Sequence, residues 1–354
     1  MQSAEQLRDL VGQVADPVLG KTLSSLKMVG NIRAESSGVE VTILLPSHAY
    51  SATEALTEKL KESLAQSLDG RPLTIRTEVR VQGKDAGGRI GLNIHNIIAV
   101  GSGKGGVGKS TVAAALACGL HTLGSRVGLM DADVYGPSIP HMFGASGQPA
   151  AVELENPDGR KIMRMDPIDV EGLKLMSMGF FLEQGQSVVW RGPILHKALV
   201  QFLKDTQWGE LDYLIIDLPP GTGDVSLTLS QQVGLAGAVV VCTPQQVALL
   251  DAIKAVDMYQ KVNVPVLGFV ENMTGEIFGR GGAKKVAEEL KLPFLGEVPI
   301  NAQIRERCDA GKIMDLLKEE GEAKDALLHI CRSVAMEVTR NLVETPPAPK
   351  LEIL

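Results

Sequence analysis

Residues 94–111 read IHNIIAVGSGKGGVGKST, and this stretch decides the fold. An apolar run leads into a loop with five glycines, and Lys109 and Ser110 then open a segment rich in helix formers. The Lys-Ser pair, together with Gly103 and Gly108, fills the spacing G-x-x-x-x-G-K-[ST], in which backbone N–H groups surround phosphate oxygens. The stretch therefore predicts a strand, a phosphate-binding loop and a helix in succession.

This loop predicts a contact for each part of a triphosphate. The loop amides and Lys109 are expected to bind the β- and γ-phosphates, and Ser110 is expected to ligate Mg²⁺. The following helix points the positive end of its dipole at the same anion. The predicted nucleotide-binding residues of the loop are Gly103, Lys104, Gly105, Gly106, Val107, Gly108, Lys109, Ser110 and Thr111.

Acidic residues follow two further apolar runs. VGLMDAD ends in Asp131 and Asp133, which share one face of an extended strand. LDYLIIDLPPGTGD ends its apolar run at Asp217 and continues to Gly221. Because ligands bind at the carboxyl edge of an open parallel sheet, we expect these carboxylates beside the phosphate loop. Asp217 is predicted to hold Mg²⁺, and the Gly221 N–H to meet the γ-phosphate in a loop that hydrolysis releases.

Apolar runs alternate with helical stretches from Ile94 onward, whereas residues 150–185 read as an irregular, strand-rich insertion. This alternation predicts an α/β P-loop NTPase fold, with a mostly parallel sheet flanked by helices. A small N-terminal α/β domain is predicted to precede it. The predicted organisation is a small domain at 1–82, a Gly-rich linker at 83–92, a P-loop ATPase domain at 93–344 and a Pro-rich tail at 345–354.

Charge and hydropathy exclude some partners. The chain has 354 residues and a formal net charge of -7, with no basic run suited to a phosphate backbone, so no nucleic-acid partner is expected. No apolar run approaches the ~18 residues of a membrane span, so we expect no membrane partner and a cytoplasmic location. The chain has four cysteines and no C-x-x-C, so they read as buried or incidental thiols.

The second lysine of the loop, Lys104, makes it similar to the deviant Walker A motif of the dimeric MinD and ParA ATPases. The resemblance implies an ATP-hydrolysing homodimer in which Lys104 reaches the ATP of the partner subunit. It also implies that Asp133 positions or activates the attacking water, that Asp131 supports the metal and the loop, and that Asn272 bonds the adenine. Capping of the following segment remains open for the two aspartates, and a turn or cap for Asn272.

Eight motifs extend the likeness, and they resemble the Mrp (ApbC-type) ATPases in order along the larger domain. That family implies an iron-sulfur cluster carrier, whose partners are apo-protein clients or iron-sulfur assembly proteins. ADPVLGKTL and KMVGNI resemble the small domain that accompanies such proteins in iron-sulfur assembly. The motifs are GKGGVGKST, DADVYGPSIP, LMSMGF, WRGP, IIDLPPGTGD, VCTPQQVALLDA, VPVLGFVENM and IFGRGGA.

The chain departs from that family in its thiols. ENMTGEIFGRGG, where the family places C-x-x-C, holds no cysteine, and an iron-sulfur cluster needs thiolate ligands. Cys118 and Cys242 lie in apolar runs, whereas Cys308 and Cys331 are expected to be more exposed. The resemblance implies a cluster, but the sequence identifies no ligands for it.

The alternative is a cluster-free dimeric ATPase switch that binds and releases a protein client. A membrane partitioner is disfavoured, because the tail ETPPAPKLEIL forms no basic amphipathic helix. Lys104 and the IDLPPGTGD switch favour hydrolysis over the phosphoryl transfer of a small-molecule kinase.

Overall fold

A computed structural model describes residues 2–83, 92–134, 136–155, 159, 161–181, 192–221 and 223–344. By their internal contacts these residues form two compact units. The first unit holds the chain up to Gln82 and the described residues from Ala335 onward, and the second runs from Gly83 to Val334. The end of the last helix thus groups with the first unit, whereas the sequence placed it in the ATPase domain. The linker and tail remain predictions, because 84–91 and 345–354 lie outside the described residues.

The described part of the first unit contains a three-stranded sheet. Its first strand pairs antiparallel with the second, and the second pairs in parallel with the third. Leu56, Leu60 and Leu64 are buried along one face of the second helix, as their spacing of four residues predicts. The burial of the first strand alternates only weakly. The elements are α1 (Ala4–Gln13), β1 (Val29–Glu35), β2 (Gly38–Leu45), α2 (Thr53–Leu64) and β3 (Leu73–Val79).

The second unit is built on a sheet that has eight strands within the described ranges. Its strands are β4 (Ile94–Gly101), β5 (Val127–Asp131), β8 (Ile168–Val170), β9 (Leu173–Ser177), β10 (Leu211–Asp217), β11 (Leu235–Cys242), β12 (Val266–Thr274) and β13 (Phe294–Pro299). They lie in the order β13-β12-β11-β4-β10-β5-β9-β8, and only the β8–β9 pair is antiparallel among these described strands. Every residue of β10 and β11 is buried, as helices covering both faces of a parallel sheet require. The predicted α/β fold is confirmed.

Residues 150–185 hold more of the sheet than the sequence predicted. β6 (Ala151–Glu155) and β7 (Lys161–Met165) form a separate antiparallel pair, as an insertion would. β9, however, joins the central sheet beside β5. Its lysine, Lys174, interrupts the apolar pattern, and the partly buried Lys174 ammonium donates to the Trp208 carbonyl oxygen at 2.6 Å. The lysine therefore interrupts what is otherwise the buried, apolar pattern of a central strand.

Helices connect the strands of the second unit. Within the described ranges, none combines the length and the hydrophobicity that a bilayer span requires. The helices are α3 (Lys109–Thr122), α4 (Ile139–Met142), α5 (Gly192–Asp205), α6 (Gly223–Gln232), α7 (Gln246–Lys261), α8 (Gly282–Leu290), α9 (Ala302–Asp309) and α10 (Glu322–Glu344).

Candidate phosphate-binding site

The loop between β4 and α3 packs so closely against α7 that side chains are excluded. A Cβ on Gly101 would lie 1.9 Å from the Tyr259 hydroxyl oxygen, and one on Gly103 would lie 2.1 Å from the Asp251 carbonyl oxygen. Gly108 has a φ of 79°, in the left-handed region that favours glycine. The glycines therefore set both the path of the loop and its distance from the neighbouring helix.

The loop opens on a cavity of about 240 Å³. Two groups that the sequence assigned to nucleotide binding, the Gly221 N–H and Asn272, do not line it, and neither do Gly103 and the buried Val107. The cavity thus corresponds to the phosphate-binding part of the predicted site. Its lining residues are Ser102, Lys104, Gly105, Gly106, Gly108, Lys109, Ser110, Thr111, Asp133, Ser138, Met142 and Pro220.

Lys109 connects the loop to both acidic strands. Its ammonium donates to the Asp217 carboxylate and, at 3.2 Å, to the Ser110 hydroxyl. It also lies 3.8 Å from Asp133 Oδ2. Only 6% of the Lys109 side chain is exposed, so these carboxylates must compensate for the loss of hydration of its buried ammonium. The structure therefore brings together four of the residues that the sequence predicted for catalysis and metal binding.

Asp217 lies at the end of β10, next to Asp131 on β5. It is fully buried, and its Oδ2 has no hydrogen-bond partner among the described residues. Burial raises the pKa of Asp217, and the Lys109 ammonium opposes that rise. A buried carboxylate oxygen without a partner, close to the Ser110 hydroxyl, suits a hard cation such as Mg²⁺. Within the described residues no three acidic, His or Cys side chains form a metal-binding group, so phosphate or water oxygens would have to complete the set.

Asp131 holds the segment that follows β5. Its Oδ1 accepts from the Asp133 N–H at 3.1 Å, and its Oδ2 accepts from the Ile139 N–H at 3.3 Å and the Ser177 hydroxyl at 3.0 Å. Burial, and then the charge of Asp217, raise the pKa of Asp131 to about 7. These contacts favour the capping role that the sequence left open, and its metal-supporting role stays a prediction.

The loop after β10 is held to the phosphate loop. The Gly221 N–H donates to the Ser102 carbonyl oxygen at 3.1 Å, and the Ser102 hydroxyl donates to the Lys104 carbonyl oxygen at 2.9 Å. Lys104 lines the cavity, and its ammonium forms no ion pair with a described residue. The Gly221 N–H predicted to meet the γ-phosphate is therefore engaged, whereas the Lys104 ammonium has no competing partner among those residues.

Asn272 contacts the loop itself. Its side-chain amide donates to the Val107 carbonyl oxygen at 2.9 Å, and the side chain is 7% exposed. The sequence missed this contact because 165 positions separate the two residues. The role of Asn272 in adenine binding stays a prediction.

The structure corrects the expected exposure of two thiols. Cys308 and Cys331 are 8% and 1% exposed, and the Cys331 sulfur lies 3.8 Å from the Leu116 carbonyl oxygen on α3. Burial raises the pKa of Cys308 to about 11 and that of Cys331 to about 12. Cys118 and Cys242 are buried as predicted, and burial raises the pKa of each thiol as well.

Comparison with known proteins accounts for both regions of the chain. Residues 93–335 match the ParA family, described as NUBPL iron-transfer P-loop NTPase, and residues 4–72 match the family described as iron-sulfur cluster assembly protein. The iron-sulfur cluster carrier protein of Deinococcus radiodurans is 44% identical over 94% of this chain and 95% of its own length. That of Escherichia coli K12 is 41% identical over 91% of this chain and 89% of its own length.

Solved structures agree with this relationship. A nucleotide-binding protein from Archaeoglobus fulgidus, in complex with ADP, is 38% identical with a TM-score of 0.54, over 64% of this chain and 90% of its own. The cell-division ATPase MinD of Pyrococcus furiosus has a TM-score of 0.51 at 22% identity, over 68% of this chain and 98% of its own, and supports the fold alone. The predicted resemblance is thus confirmed, and the chain belongs to the family of NUBPL iron-transfer P-loop NTPases.

Proposed function

We propose that this protein binds and hydrolyses ATP as a homodimer and carries iron-sulfur clusters as cargo to apo-protein clients. The observation that carries the nucleotide part is the convergence of Lys109, Ser110 and Asp133 on one cavity, with the Lys109 ammonium bonded to the buried Asp217. The proposed cargo is supported by the relatives, which match this chain over 95% and 89% of their own length and are named iron-sulfur cluster carrier proteins. The cytoplasmic location expected from the sequence belongs to the same proposal.

Hydrolysis in this site needs a water molecule, a cavity that binds the triphosphate and a neutralising charge. Asp133 lines the cavity and orients the water, whose oxygen attacks the γ-phosphorus. The bond from that phosphorus to the β–γ bridging oxygen breaks, so ADP, phosphate and a proton are released. Lys109 neutralises the phosphates of its own subunit, and Lys104, whose ammonium forms no ion pair with a described residue, neutralises the phosphates bound by the partner subunit.

Ser110 and Asp217 are the residues proposed to hold Mg²⁺, Asp217 through its unpartnered Oδ2. When bound, the ion would supply positive charge that offsets the negative charge of the phosphates. Lys109 occupies the other oxygen of Asp217, so the carboxylate can serve the lysine and the ion together.

The four thiols do not fit a cluster held at an exposed site. Each is buried, and a raised pKa keeps each thiol protonated at neutral pH, whereas iron requires the thiolate. The proposal therefore places the ligands of the cargo partly or wholly on other molecules. This burial also favours the second candidate function, a cluster-free dimeric ATPase switch that binds and releases a protein client.

Anaerobic reconstitution of the purified protein with iron and sulfide distinguishes the two candidates. The carrier function predicts stoichiometric iron, a charge-transfer absorption band and transfer of the cluster to an apo-protein. A colourless protein that hydrolyses ATP would contradict the carrier function and leave the switch. Reconstitution in the presence and absence of a small thiol such as glutathione shows whether external ligands are needed.

A matched pair of variants tests the nucleotide part. Lys109→Ala is expected to abolish ATP binding, because the loop loses the cation that faces the phosphates. Lys324→Ala is the control, since Lys324 lies in the first turn of α10 and its ion pair is with Glu320, outside the phosphate loop. Equal ATP affinity in the two variants would contradict a phosphate-binding role for the loop.

A further inference from the structure

We propose that Asn272 is a positioning residue that fixes the phosphate loop in its anion-binding shape. The proposal rests on the nucleotide-binding function proposed above and assigns Asn272 a role distinct from adenine recognition. Its amide donates to the Val107 carbonyl oxygen at 2.9 Å, and Asn272 itself does not line the cavity. A group facing a carbonyl oxygen at that distance must be the NH₂ of the carboxamide, because only it donates.

The contact determines where one loop amide points. The Val107 carbonyl and the Gly108 N–H belong to one planar trans peptide, so they point in opposite directions. Val107 is buried outside the cavity, whereas Gly108 lines it. By holding the carbonyl on the outer side, Asn272 keeps the Gly108 N–H directed inward, where an anion needs a donor.

Gly108 is required for the same contact. A Cβ at this position would lie 2.1 Å from the Asn272 amide nitrogen, far inside van der Waals contact. Asn272 and Gly108 therefore form a matched pair across two elements that are distant in the sequence.

A bulge in β12 aims the Asn272 side chain. Asn272 pairs with Val298 and Thr274 with Pro299, so Met273 is an extra residue on this strand. Met273 has a φ of 59°, a left-handed conformation that is unusual for a residue with a side chain. Such conformations persist where the surroundings enforce them, often at functional sites. Here the distorted residue directly follows the one that contacts the loop.

Inorganic tripolyphosphate separates positioning from base recognition, because it carries the phosphates without a base. The measurement is the affinity of Asn272→Ala for ATP and for tripolyphosphate, by calorimetry in the presence of Mg²⁺. We expect both affinities to fall by the same factor of about ten, the worth of one hydrogen bond. Asn272→Asp, which keeps the shape but loses the donor, should weaken both ligands at least as much.

The controls keep each outcome decisive. Asn301→Ala removes only the N-cap of α9, where the side chain accepts from the Gln303 N–H, and should leave tripolyphosphate affinity unchanged. Loss of ATP affinity alone in the Asn272 variants, or no loss for either ligand, would overturn the proposal. Wild-type protein that binds neither ligand would refute nucleotide binding itself, and the positioning role with it. If Asn272→Ala does not fold, the same comparison is made with Asn272→Asp.

Discussion

The buried pair of Lys109 and Asp217 predicts a strong coupling in the nucleotide-free protein. The two side chains are 6% and 0% exposed, and each compensates the charge of the other. Removing one partner of such a pair leaves an uncompensated buried charge and costs about 3–5 kcal/mol of unfolding free energy. We therefore expect Lys109→Met to lower the melting temperature of the second unit by roughly 10 °C.

The two single variants should not be equivalent. Lys109→Met leaves Asp217 beside Asp131 and Asp133 with no cation, whereas Asp217→Asn leaves Lys109 with Asp133 at 3.8 Å. Asp217→Asn should therefore cost less than Lys109→Met. In the double variant both charges are gone, so much of the loss should be recovered.

Tryptophan fluorescence during urea unfolding measures this cycle. The chain has two tryptophans, and Trp208 is buried in the second unit, so the change in its fluorescence reports the unfolding of that unit. We expect a coupling energy of at least about 2 kcal/mol. Single losses that add to within about 0.5 kcal/mol would show that the two groups do not stabilise each other, and would refute the reasoning.

Three further predictions follow from the loop, the thiols and the glycine packing. Lys104→Ala should keep ATP affinity while kcat falls by about 10³ to 10⁵, and steady-state turnover equal to wild type would exclude a trans-acting lysine. The pKa of Cys308 is raised to about 11 from an ordinary 9.0, which keeps the thiol protonated. At pH 8, Cys308 in the native protein should therefore react with Ellman's reagent about 100-fold more slowly than in the unfolded protein. The native reaction should accelerate as the pH rises toward 11. Native thiols as reactive as unfolded ones would contradict the burial. Gly101→Ala should lower the free energy of unfolding by about 1–3 kcal/mol, because the new methyl group clashes with the Tyr259 hydroxyl. Adding Tyr259→Phe removes that hydroxyl and should restore part of the stability. No recovery in the double variant would show that the Tyr259 hydroxyl is not the cause of the loss.

The sequence predicts this site well where the chemistry is local. The phosphate loop lies in one short stretch, and its glycine and lysine spacing has a direct geometric meaning. Asp131 and Asp217 follow apolar runs whose parallel pairing brings them to one edge of the sheet. The family resemblance, carried by motifs along the larger domain, was confirmed for the same reason.

The sequence fails where distant segments decide the outcome. The contact of Asn272 with Val107 depends on a bulge and on strand order, neither of which leaves a local pattern. Cys331 was expected to be exposed, but its helix packs its thiol sulfur within 3.8 Å of the Leu116 carbonyl oxygen on α3. The sequence did not predict that β9 belongs to the central sheet, because a charged residue, Lys174, lies within it. The long aliphatic side chain of Lys174 allows its ammonium to reach the Trp208 carbonyl oxygen.

If the protein binds ATP as proposed, the hydrogen bond from the Gly221 N–H to the Ser102 carbonyl oxygen would respond differently to ATP and to ADP. A diphosphate has no acceptor at the γ position that could replace the Ser102 carbonyl oxygen, so the Gly221 N–H would keep this hydrogen bond. A triphosphate provides a replacement acceptor that carries a full negative charge, and charge-assisted hydrogen bonds are roughly twice as strong as neutral ones. Under the proposed function, the γ-phosphate alone would favour breaking the bond between Gly221 and Ser102, so ATP and ADP would stabilise different conformations of this loop.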